Sequence, residues 1–344
     1  MKFIAFGCWN KDMCQEDGIN GMSLVLRDIY EKKNLYNLEK IYLLGDNYYP
    51  PKNEKKEKQF VGEEFISGFQ CLDRIDVPKD LIWGNHESGD EFKEGEIITK
   101  CKTMGSIIDM LKENPNYNIF KDVSDILEVN TLILKIDTTI YEDYEDIEAE
   151  CYDLLFPQVE KSGNPQEKIN RIRKYQLDKM IEKIIKHYDS FNKLIIFGHH
   201  PLCFAKTKIK KGKMSLKTGY SRLINDLAYI ISTINLSQKE INYVCADVHF
   251  YERSVVRIEN KLINQYIVGT GGAILDDPIS YSFYDGITIK VDDSKDPIIC
   301  DYTYTIYDQK KEFGYLFYDD TFNFISVNQS LATSSSKKYL IEYK

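Results

Sequence analysis

The sequence predicts an α/β fold, and three observations carry that reading. The first two-thirds of the 344 residues alternate short apolar runs with segments whose apolar residues recur at helical spacing, the pattern of βαβ units. After Glu252 the pattern changes to closely spaced strand-like runs separated by polar turns, which predicts an antiparallel-rich second sheet packed on the first rather than a separate domain. A hydrophobic content of 43% over this length supplies enough apolar surface for one large core.

The elements follow in order. KFIAF at the start reads as a buried strand ended by Gly7, MSLVLRDIYEKK as an amphipathic helix and KIYLLGD as the second strand. A helical segment around EEFISGF leads to a third strand in DLIWGNH. LILKID (132–137) starts a second block, followed by a long helix with Leu177, Ile181, Ile184 and Ile185 as its apolar face, and by the strand KLIIFG (193–198). Another helix is predicted from Gly219 to Asn235, with Leu223, Leu227, Ile230, Ile231 and Ile234 turned inward, before the strand NYVCAD. SVVRIEN, INQYIVG, GITIKV, CDYTYTIY, FGYLFY and FNFISV are the late strands. Residues 1–330 are expected to form the folded domain and 331–344 a polar turn with a terminal strand or tail, while acidic YEDYEDIEAE (141–150) reads as a solvated segment.

A net charge of -9 argues against general nucleic-acid binding, because neutralising a phosphate backbone takes a basic surface. No run of about 18 apolar residues suggests a membrane span, and the first residues already read as a core strand instead of a signal peptide. Eight cysteines without CxxC pairs predict a reduced, intracellular, cytoplasmic chain whose thiols are mostly small buried hydrophobes. Abundant Tyr, Ile, Lys and Asn fit an AT-rich coding genome such as that of a protist or a large virus.

Four apolar runs end in glycine and deliver polar residues at once: Gly7-Cys8-Trp9-Asn10, Gly45-Asp46-Asn47-Tyr48-Tyr49, Gly84-Asn85-His86-Glu87 and Gly198-His199-His200-Pro201. A fifth strand ends in Cys245-Ala246-Asp247-Val248-His249. Carboxyl ends of strands are where open α/β sheets place ligands, and this mixture of O, N and S donors suits a first-row transition metal. Four of the five histidines lie in these segments; His187, at the end of the long helix, reads as a C-terminal helix charge.

The ordered set GD, GNH, GH and a final histidine-bearing strand resembles the calcineurin-like metallophosphoesterase superfamily, and its details resemble the purple acid phosphatase branch. GDNYY resembles that branch's GDNFY, EFISGF its intervening helix, KIDTT its LDT strand, QLDKMIEKI the helix before GHHP, and VGTGGA (268–273) its closing glycine loop. The resemblance covers roughly residues 2–320 and implies a four-layer αββα sandwich of two packed mixed sheets flanked by helices. It also implies two divalent or trivalent ions, Fe, Zn or Mn, with Asp46 between them, Asn85 and His199 on the second, His249 and Tyr49 on the first, and His86 and His200 on the substrate side.

Two positions depart from the pattern. Cys8 stands where the family carries a metal-binding aspartate, and Asp247 where it carries a histidine. Both side chains can still bind metal, and a buried inert thiol is the alternative for Cys8. The expected activity is therefore hydrolysis of a phosphomonoester or phosphodiester, with a non-catalytic scaffold of the same fold as the rival reading and a nuclease third. A basic loop after GHHP, with Lys206, Lys208, Lys210, Lys211 and Lys213, could attract a polyanionic phosphorylated substrate.

Overall fold

The computed structural model describes residues 1–14, 20–94, 97–142, 149–210, 213–279, 287–289 and 302–327. The expected tail at 331–344, most of YEDYEDIEAE and the side chains of Lys210, Lys211 and Lys213 lie outside the described residues.

Apolar runs rich in Ile, Leu, Phe and Tyr are best buried between two layers, and here they form two mixed sheets lying face to face. The first sheet has the order Thr321–Ser326, Gly314–Asp319, Lys2–Phe6, Lys40–Leu44, Lys79–Ile82, Tyr117–Ile119. Its last four strands are parallel, whereas Gly314–Asp319 runs antiparallel to Lys2–Phe6, with Ala5 opposite Leu316. The second has the order Ile287–Ile289, Tyr302–Lys310, Tyr251–Ile258, Lys261–Val268, Glu240–Cys245, Phe191–Phe197, Asn130–Lys135, Ser124–Glu128. Four central strands of this sheet are parallel.

Aromatic rings fill the seam. Tyr42 stacks on Phe197 at 4.2 Å and Phe3 meets the same ring edge-on at 5.5 Å, joining the sheets through one contact cluster. A buried ion pair crosses the same interior, with Lys135 Nζ 2.7 Å from Asp80. Such a pair specifies how the sheets align more than it stabilises them, because both charges leave water.

Four expectations are corrected. The late strands do not all enter one second sheet: Gly314–Asp319 and Thr321–Ser326 complete the first, since their aromatic faces pack over Phe3 and Tyr36. The long helix spans Pro165–His187 and buries Ile169, Ile172, Gln176, Met180 and Ile184, leaving Ile185 exposed. Its buried face includes a glutamine, so apolar spacing alone pointed about one residue off. The next helix is Leu223–Thr233, and Gly219 and Tyr220 belong to a hairpin of strands Cys203–Lys210 and Lys213–Tyr220, which replaces the expected loop. Cys14 is bonded to Cys71 and Cys101 to Cys151, so the expectation of uniformly reduced cysteines fails, and the argument for an intracellular address falls with it. Among the described residues no helix is long and apolar enough to cross a membrane.

Candidate metal centre

The five strand ends converge at one edge of the sandwich. Three of the residues they deliver sit in the left-handed backbone region: Cys8 at φ 54°, Asp46 at φ 51° and Asp247 at φ 56°. Non-glycine residues rarely adopt this conformation, and it turns each chain sharply off its strand so that the side chain points across the sheet edge.

Asp46 lies at the centre. Its Oδ1 is 3.3 Å from His199 Nε2 and accepts the His86 backbone N–H at 3.1 Å, while Oδ2 accepts the Tyr49 hydroxyl at 2.6 Å and the Cys8 thiol at 3.8 Å. On one side His249 Nε2 is 3.0 Å from the Tyr49 oxygen; on the other Asn85 Oδ1 is 3.2 Å from His199 Nε2, and Asp247 Oδ1 is 4.0 Å from the same nitrogen. Ligand-capable atoms of Cys8, Asp46 and His249 form one group within 4.8 Å, and those of His199, His200 and Asp247 another. All seven sequence-predicted ligand positions are thus brought together.

Both histidines are set in the tautomer that a metal needs. His199 Nδ1 donates to the Leu44 carbonyl at 2.7 Å and His249 Nδ1 to the Ile274 carbonyl at 2.9 Å, so each Nε2 faces the cluster. The donors fit a cation. Burial opposes a charged His199, yet Asp46 overrides it and holds the imidazole at about 10; burial and Asp46 push the Cys8 thiol and Tyr49 phenol well up. The cluster thus favours positive charge, and a metal ion displaces such protons when it binds.

His86 is anchored by Nδ1 to Asp90 at 3.1 Å, and burial is outweighed by Asp46 and Asp90, which raise it to about 9. His200 lies beside the cluster as a side wall, with Nε2 2.9 Å from Glu142 and Nδ1 3.2 Å from Thr138 Oγ1. Thr138 Oγ1 also accepts the backbone N–H groups of His199 and His200 at 2.9 and 2.8 Å, and Gln176 brackets Asp137 by accepting its N–H and donating to its carbonyl. In this way KIDTT and the long helix hold GHHP.

Sequence reasoning missed Glu87 and Glu142. Burial and Asp46 push Glu87 up to about 8, against N–H groups of Gly84 and Asn47 that favour its anion. Composition places Glu142 in a solvated acidic run, whereas its side chain meets His200 at 2.9 Å. The basic hairpin is braced to the centre, since Asp276 binds Lys206 Nζ at 2.7 Å and accepts the His249 N–H at 3.2 Å; Lys208 is exposed.

Two packed mixed sheets in this order are the metallophosphoesterase sandwich fold. The chain has the purple acid phosphatase-like form of that fold. It superimposes on a purple acid phosphatase, PPD1, from yellow lupin (Lupinus luteus) seeds with a TM-score of 0.50 and 14% identity, over 92% of this chain and 48% of the lupin protein, so it spans about half that protein's length. It matches GAP50, described as the anchor in the inner membrane complex of Plasmodium, with a TM-score of 0.52 and 13% identity over 100% of this chain and 90% of that one. No family model matches the sequence, and a search of curated proteins finds no match.

Proposed function

We propose that the protein is a metal-dependent phosphoesterase acting on a phosphomonoester or phosphodiester. The carrying observation is that His199 Nε2, His249 Nε2 and the Asp46 carboxylate converge, with both Nδ1 atoms tied to backbone carbonyls. Cys8, Tyr49 and His249 would hold one transition-metal ion, Asn85, His199 and Asp247 a second, and Asp46 both, with Fe, Zn or Mn suited to the donors. Bound there, such ions lower the pKa of a water and neutralise phosphoryl oxygens.

The protein's own groups would do the rest. Asp90 orients His86, and Asp46 together with Asp90 favours its protonated form, so His86 can give a proton to the departing oxygen. Oxygen from water forms the new P–O bond, the ester P–O bond breaks, and the products of a monoester are its alcohol and inorganic phosphate. Protein purified without chelator should carry one to two equivalents of Zn, Fe or Mn and hydrolyse an aryl phosphate, and Asp46→Asn should abolish both. Metal-free protein, inactive after reconstitution with each ion, would overturn the reading.

A second reading, a non-catalytic binding module, is favoured by Cys8 and Asp247 at altered ligand positions and by the likeness to GAP50, an anchor. The same metal analysis separates the two.

A further inference from the structure

A cavity of about 440 Å³ opens between helices Gly21–Tyr36 and Gly62–Asp73, and the Cys14–Cys71 disulfide forms part of its wall. Ser23 and Leu26 are its buried floor, Arg27, Tyr30 and Arg74 its exposed rim, and the two cysteines lie part-exposed between them. The two sulfurs differ in their surroundings. Cys14 lies at the first turn of Gly21–Tyr36: the Ser23 hydroxyl donates to its Sγ at 3.8 Å, and the side chain of the N-cap residue Asn20 donates to the neighbouring Met13 carbonyl at 2.7 Å. Cys71 lies in the last turn of its own helix. The positive end of a helix dipole and a hydroxyl donor favour a thiolate at Cys14, and the negative end of the other helix disfavours one at Cys71. The second disulfide has the opposite setting, since Cys151 is fully buried and its Sγ lies 3.5 Å from the Ser88 carbonyl oxygen, which repels a thiolate.

We propose that Cys14–Cys71 is a thiol-exchange site for small thiols that carry carboxylates, and that it opens while Cys101–Cys151 stays closed. The incoming thiolate bonds to Cys71 Sγ, the Cys71–Cys14 bond breaks and its electron pair leaves with Cys14 as a thiolate; a second thiol then displaces Cys71 from the mixed disulfide. Two external thiols are thereby oxidised to one disulfide, and the protein bond takes up two electrons. A stabilised leaving thiolate quickens this cleavage and makes the disulfide the better oxidant. The cavity has the volume of a small-ligand site, and Arg27 and Arg74 complement carboxylates, with no acid among the described residues that line it. Opening the bond frees the outer end of the segment that begins at Cys8, while fully buried Asn10, whose Nδ2 donates to the Phe65 carbonyl at 3.0 Å, keeps the inner end on the helix. Nothing in this chemistry requires a metal ion or a phosphate ester.

Partial reduction of the intact protein tests the site. Alkylation and mass mapping during a titration with 3-mercaptopropionate should label Cys14 and Cys71 before Cys101 and Cys151, and the trapped mixed disulfide should sit on Cys71. At equal thiolate concentration and low salt, 3-mercaptopropionate should open the bond about 10-fold faster than cationic cysteamine, the lower end of what a focused charge gives. High salt should shrink that ratio, and so should replacing both arginines, Arg27→Ala with Arg74→Ala. Ser23→Ala should slow opening by either reagent and leave the ratio unchanged. Simultaneous opening of both disulfides, equal rates with the two reagents, a ratio unmoved by loss of both arginines, or free Cys14 and Cys71 thiols in protein isolated in air would overturn the site.

Discussion

The carboxylate of Glu87 accepts the backbone N–H of Asp46 at 3.1 Å, and the same side chain takes the N–H groups of Gly84 and Asn47. One buried acid therefore sets the positions of two strand ends, the one carrying Asp46 and the one carrying Asn85 and His86. Glu87→Ala leaves three buried donors unpaired and should cost about 3 kcal/mol or more, at 1–3 kcal/mol for each orphaned group. Glu87→Gln keeps one acceptor oxygen and should fall between. Urea unfolding measures the stability, and metal titration of the same variants should rank them in the same order; unchanged affinity in the alanine variant would show that the loops hold themselves.

Cys8 is tested by its sulfur. Co²⁺ bound to the wild type should absorb in the near ultraviolet through sulfur-to-metal charge transfer, and Cys8→Ala should lose that band together with the first ion. Cys8→Asp should shift preference toward Mn²⁺, which favours oxygen donors. A cobalt-loaded wild type without the band would make Cys8 a bystander.

The disulfides close long loops, with sequence separations of 57 and 50 residues, for which chain-entropy arguments give about 4 kcal/mol each. Reduction should expose four further thiols to alkylation and lower the unfolding midpoint. Cys14→Ser should also loosen the loop that follows Cys8, seen as weaker metal binding at unchanged secondary structure. An identical thiol count with and without reductant would refute both bonds.

Glu252, three residues beyond His249, predicts a pH effect. It is fully buried and bonded to Ser254, Tyr304 and Gln309, no cation pairs with it among the described residues, and burial raises it to about 7. A carboxyl whose folded pKa is raised contributes its full stability below its unfolded value near 4.5, and that contribution is lost as pH rises through about 7. Between pH 5 and pH 8 the wild type should therefore lose about 3 kcal/mol relative to Glu252→Gln, from a shift of roughly two units at 1.36 kcal/mol each. Parallel pH profiles of the two proteins would disprove it.

Much of the centre was legible because several apolar runs end abruptly in glycine followed by metal-ligating residue types, a combination that a single turn does not need. What was hidden depends on contacts between distant segments. Glu142 looks like its acidic neighbours until it meets His200, and no spacing rule couples Cys14 to Cys71. The long helix misled because Gln176 occupies its buried face, where it serves Asp137 instead of the core. The lysines of the hairpin mask strand alternation, so its spacing alone reads as a loop.

The pairing of Lys2–Phe6 with Gly314–Asp319 has a consequence for how the molecule assembles. The strand that delivers Cys8 waits for a partner far along the chain: until Gly314–Asp319 exists, one edge of a largely apolar ribbon stays open to any other chain. Synthesis thus leaves a sticky template exposed until that partner emerges, and a polypeptide cut before Gly314 should precipitate as β-rich aggregates rather than yield a soluble fragment.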